Sequence, residues 1–207
     1  LMLPYTSLAK DKVPTKASRD ALITDMSEAY KKLDRKRLSA LLPQVKGHVL
    51  EPWAAYWELS ARLDDAAPAE VQEFFTRFAG TYQEDRLRNE WLLLLGKRRD
   101  WAAFISEQPK FRMNDDLDVL CYALLADTST NGTEVASQVK ALWLAQREPD
   151  EGCSAAAAQL LQADKLDPTV AWPRARLASE CDAPPIPMKA VTAPNPDWAA
   201  RVRTANT

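Results

Sequence analysis

The sequence predicts an all-α protein. Only 5 of its 207 residues are glycine, and alanine, leucine and charged residues of high helix propensity dominate the rest. Apolar residues recur at helical spacing between short polar connectors, whereas no segment shows the alternation that marks a half-buried strand. Helices this short cannot bury their apolar faces singly. We therefore expect neighbouring helices to pack as antiparallel pairs in an irregular α-superhelix of helical hairpins.

Ten helices are predicted in order, each introduced by a capping residue or a proline that precedes an apolar stripe. The predicted starting positions are Ser18, Asp34, Pro52, Pro68, Thr81, Asp100, Asn114, Thr133, Asp150 and Asp167. In the last helix, Pro173 requires either a late start or a kink. The array resembles tetratricopeptide solenoids in its hairpins, but Trp57 and Trp91 alone keep the 34-residue period, so the repeat is degenerate.

The helix after Thr81 carries the strongest pattern. Thr81 and Glu84 have the spacing of a capping box, and Gly96 is the predicted C-terminal stop. Asp100 then caps the next helix. The apolar stripe of the long helix consists of Leu87, Trp91, Leu94 and Leu95.

Composition divides the chain into three predicted segments. Residues 1–16 read as an extended lead-in, residues 17–181 as the helical domain, and residues 182–207 as a tail. The tail contains five prolines in 26 residues, which precludes a continuous helix. We expect it to be a linker or the end of a trimmed chain.

Charge and composition exclude several classes of function. The net charge of −2 argues against a nucleic-acid partner, because proteins that bind nucleic acids normally carry an excess of basic residues. No apolar run approaches the roughly 20 residues of a membrane span. His48 is the only histidine, and the three cysteines are far apart, so neither a metal nor a cofactor is expected.

Three stretches in order resemble the N-terminal superhelical domain of the soluble lytic murein transglycosylases of Gram-negative bacteria. They are YQEDRLRNEWLLLLGKRRDW (82–101), DVLCYALLA (118–126) and ALWLAQREPDEGC (141–153). The resemblance covers roughly residues 17–180. It implies a periplasmic parent enzyme that cleaves the β-1,4 bond between N-acetylmuramic acid and N-acetylglucosamine and leaves 1,6-anhydro ends. It also implies peptidoglycan glycan strands as partners.

The catalytic motifs of that family are missing from the sequence. The family's acid/base glutamate precedes a serine and is followed downstream by Gly-x-Met-Gln, and neither motif occurs here. We therefore expect no catalytic residue in this chain and a separate catalytic domain in the parent protein. Paired carboxylates such as Asp115 and Asp116 are explained by capping and solvated turns.

Four arginines flank the aromatic helix and are the best candidates for a polar binding surface. They are Arg86, Arg88, Arg98 and Arg99. Structural ion pairs with Glu84, Asp85 and Glu90 are the interpretation that the helical spacing favours for them.

Cys121 and Cys153 are the predicted disulfide, with Cys181 left out. Both lie on apolar helical faces, and one intervening helix separates their two helices, which makes those helices neighbours in a hairpin stack. The resemblance also includes a matching cysteine pair. Two buried free thiols are the alternative. A disulfide requires an oxidising compartment, which agrees with a periplasmic location.

These observations favour a non-catalytic helical scaffold from a lytic transglycosylase. A tetratricopeptide-like adaptor that binds a peptide or protein in its groove is the second hypothesis. An all-helical enzyme is a weaker third, because the sequence offers no nucleophile–base or metal constellation.

Overall fold

A computed structural model describes residues 16–127, 132–146 and 150–180. The predicted lead-in up to residue 15 and the tail with Cys181 lie outside these ranges. The described residues form helices joined by turns and short loops and contain no strand, which confirms the predicted all-α class. Its α-helices are α1 (Lys16–Lys31), α2 (Arg35–Leu41), α3 (Glu51–Ala61), α4 (Pro68–Arg77), α5 (Tyr82–Arg98), α6 (Trp101–Glu107), α7 (Leu117–Ala126), α8 (Gly132–Ala145), α9 (Gly152–Gln162) and α10 (Ala171–Glu180). Short 3-10 helices occupy Leu42–Val45, Leu63–Asp65, Gln108–Lys110 and Pro168–Val170.

Several helices begin where the sequence predicts. Asp34 and Asp100 accept hydrogen bonds from backbone N–H groups of α2 and α6, and Pro68 is the first residue of α4. Thr81 accepts the backbone N–H of Glu84 at 3.2 Å. These caps are local in sequence, so the pattern alone is sufficient to place them.

Three predicted caps need correction. Ser18 and Thr133 lie inside α1 and α8, not at their N-caps. The N-cap of α7 is Asp116, not Asn114, because the Asp116 carboxylate accepts the N–H groups of Asp118 and Val119. Asn114 instead adopts a positive φ of 46°.

The last helix takes the late start that was one of the two alternatives predicted from Pro173. A 3-10 turn follows Asp167, α10 begins at Ala171, and Pro173 falls in its first turn, where a missing N–H costs little.

The predicted helix stop at Gly96 is also wrong. Helix α5 continues through Gly96, and Arg99 takes the left-handed terminal position with φ 60°. The N–H of Arg99 donates to the Gly96 carbonyl at 3.1 Å, and that of Asp100 donates to the Leu95 carbonyl at 3.0 Å. This pair of bonds is the Schellman motif, which usually places glycine where this chain has arginine.

The same motif ends α1 and α9 without glycine. Leu33, at φ 53°, donates to Tyr30, and the next residue donates to Ala29, both at 2.9 Å. Asp164, also at φ 53°, occupies the equivalent position after α9. The backbone hydrogen bonds of the motif are formed at these helix ends. The remaining strain lies in the left-handed conformation of the residue that replaces glycine.

The described part of the chain divides into two compact units, with the boundary between Glu84 and Asp85. In the first unit, α1, α2 and α3 bury an apolar core that includes Met26, Leu38, Val45 and Ala54. In the second, α7, α8 and α9 pack together around a core that includes Val139, Trp143, Ala156 and Leu160.

We predict that replacing Leu33 with glycine stabilises the protein. Leu33 is 70% exposed, so little packing is lost. Removing Cβ relieves a left-handed conformation that costs an L-residue about 1–2 kcal/mol, partly offset by the greater entropy of glycine in the unfolded chain. The expected net gain in the free energy of unfolding is about 0.5–1 kcal/mol, measured by urea denaturation.

Leu33→Ala is the matched control, because it removes the side chain but keeps Cβ. It should change stability by less than about 0.5 kcal/mol. A Leu33→Gly variant less stable than the alanine variant would contradict the assignment of strain to this position.

Candidate functional site

Helices α7 and α9 are held together by a disulfide between Cys121 and Cys153. Their Cα atoms are 5.0 Å apart, and both side chains are fully buried. Gly152 makes this approach possible, since a Cβ there would lie only 2.7 Å from the backbone carbonyl oxygen of Asp118. The predicted pairing is therefore confirmed.

The carboxylate of Asp118 joins the same two helices a second time. It accepts the backbone N–H of Cys153 at 3.1 Å and that of Glu151 at 3.2 Å, and the Gln146 amide donates to it at 3.1 Å. Burial raises the pKa of the Asp118 carboxyl, while the hydrogen bonds from Cys153 and Glu151 act to lower it. The first turn of α9 is thus fixed to α7 by a covalent bond and by a side-chain clamp.

A third close contact sets α5 against α7. A Cβ on Gly96 would lie at most 2.8 Å from three atoms of the Tyr122 ring. Gly96 is therefore required for close packing, not for a turn. Burial, followed by the charges of Asp118 and Glu151, raises the pKa of Tyr122 to about 12, so its phenol stays neutral at physiological pH.

These contacts surround a cleft of about 220 Å³ in the second unit. Helix α5, Tyr122 of α7 and the start of α9 form its walls, and we call it the α5 cleft. Its lining consists of Gly96, Lys97, Arg99, Tyr122, Glu151 and Ala155. At the rim, Lys97 and Glu151 form an ion pair at 2.9 Å whose side chains are 62% and 69% exposed.

The Arg99 guanidinium is held in the cleft by two neutral groups. It donates to the side-chain oxygen of Gln159 at 2.7 Å and lies 5.7 Å from the centre of the Trp101 ring. The Schellman turn at the end of α5 fixes the backbone from which this side chain leaves. The arrangement presents a positive, planar group that can bind a carboxylate through two parallel hydrogen bonds.

The structure distributes the four predicted arginines over different environments. Arg88 is 5% exposed and pairs with the buried carboxylate of Glu107, so the prediction that it lies on a polar surface is wrong for this residue. Arg86 is exposed and lies 3.8 Å from Glu90, an ion pair that the helical spacing favours. Arg98 is also exposed. Of the four, only Arg99 lines the α5 cleft.

Sequence reasoning missed Lys97, Tyr122 and Glu151 as members of one site. Lys97 belongs to a run of basic residues at the end of a predicted helix, and such runs usually face solvent. Tyr122 and Glu151 lie beside the two half-cystines, so the predicted disulfide was the available indication that they are close in space. Among the described residues, no group of three or more histidine, cysteine or acidic side chains could hold a metal ion, and no helix is long and apolar enough to cross a membrane.

Comparison with solved structures identifies the fold. An inactive mutant of lytic transglycosylase Slt from Pseudomonas aeruginosa matches with a TM-score of 0.55 and 26% identity. The match covers 78% of this chain and 26% of that one. The predicted resemblance to the soluble lytic transglycosylases is confirmed.

A second lytic transglycosylase structure shares the same fold. The complex of the 70-kDa soluble lytic transglycosylase with bulgecin A matches with a TM-score of 0.55 and 19% identity, over 79% of this chain and 26% of that one. The chain therefore spans about a quarter of the length of the solved transglycosylases that it matches. No protein-family model and no curated protein matches the sequence.

We predict that loss of the disulfide destabilises this transglycosylase-like domain by about 3–4 kcal/mol. The bond closes a loop between residues 32 apart in sequence, and the chain-entropy model gives this magnitude for such a loop. The Cys121→Ser/Cys153→Ser variant should show it as a lower urea midpoint than the oxidised protein.

Added reductant is the internal control for the disulfide. It should lower the midpoint of the natural chain and leave that of the double variant unchanged. Peptide mapping without reductant should recover the Cys121 and Cys153 peptides as one linked species. Recovery of the two peptides unlinked would contradict the pairing.

We also predict that Gly96→Ala is destabilising, contrary to helix propensity. Alanine in a helix interior is normally favoured over glycine by about 1 kcal/mol. Here the methyl group would overlap the buried Tyr122 ring, and overpacking costs about 1–3 kcal/mol. Thermal unfolding measured by circular dichroism should show a lower Tm.

Gly132→Ala, at the start of α8, is the control. The three atoms nearest to a Cβ there belong to the flexible Lys165 side chain, at 3.0 Å or more. This variant should match or exceed the stability of the natural chain. Equal effects of the two substitutions would show that the Tyr122 contact is not what requires glycine at position 96.

Proposed function

We propose that this chain is a non-catalytic helical scaffold domain of a peptidoglycan-cleaving lytic transglycosylase. The parent enzyme would cleave the β-1,4 bond between N-acetylmuramic acid and N-acetylglucosamine and produce 1,6-anhydro ends. The observation that carries the proposal is the match to the Pseudomonas aeruginosa transglycosylase over 78% of this chain at 26% identity.

The missing motif supports the non-catalytic part of the proposal. No glutamate in the sequence precedes a serine, so the residue that would transfer the proton in this family has no counterpart here. The buried carboxylates Asp85, Glu107 and Asp150 are occupied by structural hydrogen bonds or ion pairs. The reaction would belong to another part of the parent protein, and this domain would hold or admit the glycan strand.

The disulfide supports a location outside the cytoplasm. Cytoplasmic thiols are kept reduced, whereas disulfides form and persist in the periplasm and other oxidising compartments. Because the Cys121–Cys153 bond joins two core helices, folding of the domain would benefit directly from such a compartment. We propose the periplasm, where peptidoglycan is also present.

The experiment that tests this function uses the purified, oxidised chain and isolated murein sacculi. The chain should co-sediment with sacculi and should release no 1,6-anhydro muropeptides, because the acid/base glutamate is missing. Muropeptides are measured by mass spectrometry of the soluble fraction, with an active lytic transglycosylase as the positive control.

Chitin particles provide the matched binding control, since they consist of N-acetylglucosamine without muramic acid or peptides. Retention on sacculi above the level on chitin supports the scaffold role. Failure to co-sediment with sacculi, or measurable release of anhydro products, would overturn the proposed function.

A further inference from the structure

We propose that the α5 cleft binds the free carboxylate of a short peptide, with Arg99 as the primary contact. In the context of the proposed function, on which this inference rests, the ligand is the peptide stem of peptidoglycan. The cleft would then hold the peptide part of a strand, while other surfaces of the parent protein hold its sugars.

The first argument is that the cleft is rigid before any ligand arrives. The Cys121–Cys153 bond and the Asp118 clamp fix the wall that carries Glu151. Gly96 and Tyr122 fix the opposite side by direct packing. A preformed site avoids much of the ordering cost of binding, so a few contacts can produce measurable affinity.

The second argument concerns the charge of Arg99. The two groups that hold its guanidinium, Gln159 and the Trp101 ring, carry no net charge, so they orient the group without neutralising it. An arginine held in this way retains further N–H donors for a carboxylate. The Trp101 ring also gives the guanidinium a flat backing, which favours a planar, two-bonded approach.

The third argument concerns the rim. The Lys97–Glu151 pair is largely exposed, and ion pairs of this kind contribute little to stability. A ligand carboxylate can therefore replace Glu151 as the partner of Lys97 at small cost. Glu151 is then available to accept an ammonium or amide N–H of the ligand.

These features favour a peptide over a neutral sugar. The cleft places two cations and one carboxylate around a space of about 220 Å³, which complements a ligand that has carboxylates next to N–H donors. A neutral glycan would leave the Arg99 charge desolvated without a negative partner, which is unfavourable.

The test is calorimetric titration of the oxidised chain with a soluble muramyl tetrapeptide whose carboxylates are free. The same peptide with amidated carboxylates is the ligand control. Binding should be at least about tenfold weaker for the amidated peptide, the size of one charge-assisted hydrogen bond, and should weaken as salt is raised. Equal affinity for the two peptides, or no binding of either, would overturn the proposal.

Two variants assign the contact to the cleft. Arg99→Gln should weaken binding about tenfold or more. Arg86→Gln, which alters an exposed arginine of α5 outside the cleft, should change it by no more than about twofold.

The variants separate this inference from the proposed function. An Arg99→Gln chain that binds the free peptide as well as the natural chain does, with an unchanged melting curve, would overturn the assignment to this cleft. If the natural chain co-sediments with sacculi in that case, the scaffold role stands and only the peptide site fails. If it does not co-sediment while peptide binding follows the variants as expected, the carboxylate site stands and the scaffold role fails.

Discussion

The covalent and hydrogen-bonded junction between α7 and α9 is the constraint on which the second unit depends. The disulfide alone would fix one point of contact, but Asp118 adds two backbone N–H groups of the opposite helix and a glutamine amide. In sequence, α8 lies between these two helices, and it contributes Val139 and Trp143 to the same core. Trp143 in turn donates its indole N–H to Ser154 of α9 at 3.1 Å. The three helices therefore form one cross-linked unit in which polar groups are satisfied by specific partners.

The end of the described chain is attached to this unit by a buried ion pair. Arg174 of α10 donates to the Asp150 carboxylate and to the Gln146 carbonyl, both at 2.6 Å. Both side chains of the ion pair are almost fully buried, so removing their charges from water is costly. The short distance between the two charged groups and the hydrogen bond from the Ser154 N–H to Asp150 offset this cost. Such a pair adds little net stability by itself. Its consequence here is positional, because it ties α10 to Gln146 and Asp150, which lie between α8 and α9 in the sequence.

The geometry of the α5 cleft depends on the same junction between α7 and α9. Its charged residues are all exposed or at the surface, and none of them contributes much to the core. The residues that line it are nevertheless positioned by core contacts one to three residues away: Tyr122 follows Cys121, Glu151 precedes Gly152, and Arg99 lies three residues after Gly96, which packs α5 against α7. A surface site supported in this way keeps its geometry without depending on mobile loops.

Much of the fold was determined by the sequence alone. The helical period, the caps at Asp34 and Asp100, and the helix start at Pro68 depend on residues within a few positions of each other. The pairing of two cysteines on apolar faces depends on a simple stacking rule. That is why the all-α class and the disulfide could be predicted.

Tertiary structure decided what local patterns could not distinguish. Gly96 has the same appearance in sequence whether it ends a helix or admits a tyrosine ring, and the choice depends on Tyr122, which lies 26 positions further along the chain. Arg88 and Arg99 are equally basic in sequence, yet one is buried against Glu107 and the other lines a cleft. Burial, partner and charge environment are set by contacts between distant segments, and those contacts exist only when the helices have packed.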